Sequence, residues 1–125
     1  MEFKSHISFI YYKNLEKAVE FYEDVFGWEK TVDQGFAKIY KITDGAFLGL
    51  VDEVRGYCNW QKEKTVMVTL VTNKPEEVDN WYKIFQEKKV KCLSQPHDVE
   101  ELNIRCFIAE DPEGYVIEIQ NFLGK

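Results

Sequence analysis

Glu118 is the residue whose position most invites chemistry. It stands in "DPEGYVIEI", residues 111–119, where a turn signal leads into a run of valine and isoleucine. A carboxylate on a strand that must bury itself can bind a cation, move a proton, or pair with a cationic neighbour. Arg105, on the preceding strand, is close enough in such a hairpin to be that neighbour. Gln120 shares the face of Glu118, because strand side chains alternate. His6, in the opening strand near the chain end, reads first as solvent-facing or hydrogen-bonded. His97, in "HDVEELN" (residues 97–103), reads as exposed in a polar loop. Asp111 and Glu113 are accounted for by turn chemistry. The sequence contains no HExxH, no GxSxG and no Gly-rich phosphate loop.

The elements that must position these residues repeat. "AVEFYEDVFGWEKTV" (18–32) and "EVDNWYKIFQEKKVKCL" (77–93) each read as an amphipathic helix followed by a short strand. "DGAFLGLVD" (44–52) and "EGYVIEIQN" (113–121) align without gaps as a turn and an alternating strand. The chain therefore reads as two diverged modules, 1–52 and 65–125, joined by a linker at 53–64. Each runs strand, helix, strand, strand, strand. In the first module the spacing predicts strands near 7–12, 29–32, 36–42 and 46–51. Its helix is capped by Asn14 and ended by Gly27. In the second, strands are expected near 65–71, 90–93, 104–110 and 115–122, with a helix starting at Pro75.

Strand parity sorts the candidate residues. A regular hairpin at 111–114 puts Phe107 opposite Glu118 and Arg105 opposite Gln120, leaving Ile104, Cys106 and Ile108 with Ile117 and Ile119 beneath a helix. By the repeat, Leu48, Leu50, Ala37 and Ile39 take the helix face of the first module. Phe36, Lys38, Tyr40, Phe47 and Gly49 take the other. His6 and Ser8 share one parity, Ile7 and Phe9 the opposite, and His6 is expected with the mixed set. Two such mixed faces could enclose an apolar cup with a few polar groups, the usual lining of a small-molecule site.

The bulk composition bounds the partners. At 125 residues, with 45% apolar and 15% aromatic residues, the chain has the size of one domain with a real core. Its net charge of −6 argues against nucleic acid or an anionic membrane and favours a neutral or cationic ligand. No apolar run approaches the roughly 20 residues of a membrane helix. The start of the chain does not read as a signal peptide. Cys58, Cys92 and Cys106 form no zinc spacing and read as reduced thiols in a cytoplasmic protein.

The opening "HISFIYYKNLEKAVEFYEDVFGW" (6–28), the closing "DPEGYVIEIQ" (111–120) and the duplicated module together resemble the vicinal oxygen chelate superfamily (glyoxalase, bleomycin-resistance and dioxygenase-like proteins). The resemblance implies an α+β fold, two βαβββ modules forming a curved mixed sheet around a cup with the helices outside. In the enzymes of that group it also implies a divalent metal (Zn, Ni, Mn or Fe) held from the first and last strand of each half. Glu118 falls on the last-strand position of the second half; Gly49 falls on that of the first. Met67, or Val66 if the register slips, takes the first-strand position of the second half. His6 lies one residue early for the remaining position. A bulge at Tyr11 and Tyr12 would restore it; otherwise Ile7 fills the slot. With His6 and Glu118 as the ligands at best, against about three protein ligands in catalytic sites, the metal site reads as degenerate and no tight metal is expected.

The leading expectation is thus a cytoplasmic homodimer that binds a partly aromatic or cationic small molecule, as the metal-free bleomycin-resistance branch does. Phe36, Tyr40, Phe47 and Phe107 would supply contact area; Glu118, Arg105, Gln120 and His6 would fix orientation. The alternative is a lyase or isomerase resembling lactoylglutathione lyase, using a divalent metal or Glu118 as acid and base.

Overall fold

A computed structural model describes residues 1–124, and the chain divides into two compact units, Met1–Lys62 and Glu63–Lys125. The first unit runs β1 (His6–Tyr12), α1 (Leu15–Phe26), β2 (Lys30–Asp33), β3 (Ala37–Thr43) and β4 (Ala46–Asp52). Helix α1 starts where Asn14 Oδ1 accepts the Lys17 N–H at 3.1 Å, and ends at Gly27 with φ 66°. The strands lie in the order β1-β4-β3-β2, with β1 parallel to β4. One sheet face lies under α1. Tyr40 donates to Glu23 Oε2 at 2.7 Å, and Tyr12 donates to Tyr22 on the same helix. Ile10, Tyr12, Tyr22, Tyr40, Leu48 and Leu50 are buried there. Fully burying a large apolar side chain of this kind contributes about 1.5–3 kcal/mol, so this layer dominates the stability of the unit.

The second unit runs β5 (Met67–Val71), α2 (Pro75–Glu87), β6 (Lys91–Cys92), β7 (His97–Val99), a 3₁₀ turn (Glu100–Leu102), β8 (Ile104–Glu110) and β9 (Val116–Phe122). Its order is β5-β9-β8-β6, with β7 also on β8 and β5 parallel to β9. Helix α2 begins with Pro75; Glu77 Oε1 accepts the backbone N–H groups of Asn73 and Lys74. Residues 97–103 are not the expected loop. Their backbone pairs with β8 and then tightens into the 3₁₀ turn, and Asn103 takes a left-handed φ of 54°. The polar side chains of that segment hid a strand that pairs with β8 through its main chain.

Both antiparallel registers differ by one residue from the regular hairpins expected. In the first unit a shift between Lys41 and Thr43 sets Tyr40 opposite Leu48 and Ile39 opposite Gly49. In the second, Glu110 pairs with Val116, so five residues rather than four make the turn. Asp111 holds that turn by accepting the N–H groups of Glu113 and Tyr115, and Gly114 adopts φ 93°. A one-residue slip moves every side chain of the slipped strand to the other face. The placements on β3 and β8 are therefore corrected. Tyr40 lies beneath α1, while Ala37 and Ile39 are opposite it. Phe107 lies beneath α2, its ring 5.2 Å from those of Tyr82 and Phe85. Arg105 shares that side. Ile104, Cys106 and Ile108 share the face of Glu118.

Candidate functional site

The face of the first sheet away from α1 carries two hollows. The parallel register aligns Ile7 with Phe47, Phe9 with Gly49 and Tyr11 with Val51. These stand beside Ile39 and Lys41 of β3 and Val32 of β2. A hollow of about 440 Å³ opens there, lined by Ile7, Val32, Ile39 and Phe47, with Lys4, Ser5, Thr31 and Lys41 among its other residues. Ile7 and Val32 remain 38% and 43% exposed, so the apolar wall meets solvent. A second hollow of about 310 Å³ lies along the same strands, between Phe9, Tyr11, Phe36 and Val51, with Arg55 seated 4.7 Å over the Phe36 ring. Burial and a hydrogen bond with Cys58 push the Tyr11 phenol above its ordinary pKa.

Of the residues expected to contact a ligand here, Phe47 and Phe36 line hollows. His6 does not join them. It has the parity of Ile10 and Tyr12, the helix side, and its Nε2 lies 2.8 Å from Ser8 Oγ at the exposed start of β1. No register shift interrupts the β1–β4 pairing, so no bulge rotates His6 inward, and Ile7 holds the inward slot.

In the second unit the face away from α2 carries Glu118 and Gln120 of β9, Cys106 and Ile108 of β8, and Thr69 of β5. Glu118 is 8% exposed. Thr69 Oγ1 donates to its Oε1 at 2.9 Å. With the Gln120 amide nitrogen turned to the carboxylate, it donates at 3.0 Å to Oε1 and 3.2 Å to Oε2. Burial pushes the Cys106 thiol above its ordinary pKa, and the adjacent Glu118 charge and hydrogen bond push it the same way. The expected Glu118–Arg105 pair does not form. Arg105 donates to Asp79 at 2.8 and 3.0 Å and to Asp98 at 2.9 Å. It is the clamp that ties α2 and β7 to β8. Thr69 was not singled out in the sequence; its alternation in "MVTLV" was visible, but its pairing with Glu118 required the parallel strand.

The donor set does not fit the divalent metal that the resemblance implies. Ile7 is a hydrocarbon and Met67 a thioether, a poor donor to a hard ion. Gly49 has no side chain, and a Cβ added there would collide with the Phe9 ring. Glu118 already accepts from its neighbours. Among the described residues, no group of three or more His, Cys, Asp or Glu side chains is placed to hold an ion.

The comparisons agree with this architecture. The profile of the Glyoxalase/Bleomycin resistance protein/Dioxygenase superfamily matches residues 5–119, and the chain belongs to that family. A glyoxalase/bleomycin resistance protein/dioxygenase from Nocardioides superposes with a TM-score of 0.82 at 23% identity, over 100% of this chain and 87% of the other. Lactoylglutathione lyase from Agrobacterium tumefaciens gives 0.73 at 22% identity, over 92% of this chain and 90% of the other. An integron cassette protein from the mobile metagenome of the Halifax Harbour sewage outfall gives 0.76 at 21%, over 94% and 97%. At these identities the likeness is one of fold. No curated protein matches the chain.

Proposed function

We propose that this protein binds a small molecule with an apolar or aromatic body on the open face of its first sheet, without a tightly held metal. The observation that carries the reading is the 440 Å³ hollow walled by Ile7, Val32, Ile39 and Phe47, a volume within the usual range for ligand sites. The metal-poor donor set supports the second clause. As in other small-molecule sites, the apolar wall would supply affinity and the few polar groups orientation. Tyr40, Arg105 and Phe107 serve the helix-covered layers in this reading, not the ligand. Family membership supports a homodimer, and the absence of a helix long and apolar enough to cross a membrane, among the described residues, is compatible with the cytoplasm.

The test is paired. Protein dialysed against a chelator and then buffer is analysed for metal, and retained binding of an apolar aromatic probe is measured. The reading expects less than stoichiometric metal and undiminished binding; a tightly retained ion, or binding restored only by one, would sink it. A second reading adds acid and base work by Glu118, favoured by its burial on the last strand of the fold. It predicts an activity abolished by Glu118→Gln under conditions where the fold persists.

A further inference from the structure

We infer that the ligand of this hollow carries an anionic group, a carboxylate or its equivalent, at one end of its apolar body. The inference rests on the hollow being the binding site proposed above. Among the described residues, Lys4 and Lys41 are its charged lining residues, and no carboxylate lines it. Lys41 Nζ lies 3.0 Å from Asp44 Oδ1, but that side chain is 99% exposed. Such a pair holds its ammonium weakly and leaves it further donors. Ser5 and Thr31 add hydroxyls to the lining; Thr31 already donates to the Ile39 carbonyl. The charged residues of the lining are thus two lysines beside an apolar wall. This reverses the preference for a cation drawn from the overall charge of −6, because two lysines against the exposed Asp44 carboxylate leave a local positive excess beside low-dielectric surface, whereas remote charges are screened.

A matched series separates the two ideas. The dialysed 125-residue protein is titrated calorimetrically at low salt with 4-phenylbutyrate, 4-phenylbutanol and protonated 4-phenylbutylamine. We expect the acid to bind about tenfold more tightly than the alcohol, with the amine weakest. The double variant Lys4→Met, Lys41→Met, at two exposed positions, is expected to bring acid and alcohol within about twofold of each other, since only the charge-assisted part is removed. Val32→Asp should weaken the alcohol by removing apolar contact, and the acid further, because the new carboxylate repels it. If the alcohol matches the acid, the amine binds best, or the double variant keeps the preference, the anionic inference is overturned while the hollow stands as a site. If none of the three binds, or Val32→Asp weakens none of them, both the hollow and the inference are overturned.

Discussion

Glu118 is held by neutral donors rather than by a cation, and that changes what its removal should do. Glu118→Ala would leave Thr69 and Gln120 facing a space with no acceptor, at a cost of about 1–3 kcal/mol read as a lower urea midpoint. Glu118→Gln, which keeps one acceptor oxygen, should cost less. That Glu118 points away from the helix was legible from alternation alone. Its partner was not, because a hairpin argument considers β8 and overlooks the parallel neighbour β5. Arg105 illustrates the converse. Hydrogen bonds from its guanidinium hold the Asp79 carboxyl below its ordinary pKa. A carboxyl so depressed stabilises the fold above its ordinary value, and the contribution is lost as pH falls from there through the depressed one. Asp79 is 40% exposed, so the pair is worth about 1 kcal/mol or less. Arg105→Leu should narrow the stability gap between pH 7 and pH 3 relative to the wild type, measured by urea unfolding at both.

At the scale of elements, caps and periodicity located the helices and most strands, since Asn14, Gly27 and Pro75 act locally. Register was harder. It hangs on one residue in each hairpin, the shift near Ile42 and the five-residue turn closed by Gly114. The glycine following an Asp-Pro-Glu turn was the available clue, because a left-handed residue there is how a strand gains one extra position. Gly114→Ala forces a Cβ into φ 93° and should lower stability by about 1–2 kcal/mol in thermal unfolding. Gly49 matters through its neighbour. Gly49→Ala must push the Phe9 ring aside, which its 43% exposure allows at a modest cost. In a double-mutant cycle with Phe9→Ala, the two substitutions should couple by about 0.5–1 kcal/mol, and Gly49→Glu alone should confer no metal binding in calorimetry with Zn or Ni.

Taken whole, the molecule was legible as a duplicated α+β chain because each half repeats its turn, helix and strand signals at matching places. The ligand face was legible only in part: Phe36 and Phe47 were named, whereas Lys4, Ile7, Val32, Ile39 and Lys41 emerge only when distant strands are aligned. With a net charge of −6 and a pI near 5.0, solubility should pass through a minimum close to pH 5, as turbidity against pH would record. One last consequence concerns the order in which the chain is made. Each unit seats its opening strand against its closing one; Thr69 and Glu118 are 49 residues apart. During synthesis the opening strand is therefore delivered long before its neighbour exists. Each half must fold in a late closing event, timed by the arrival of its final strand. A ribosome stalled before residue 116 would display β5 as an orphan edge, open to pairing with another nascent chain.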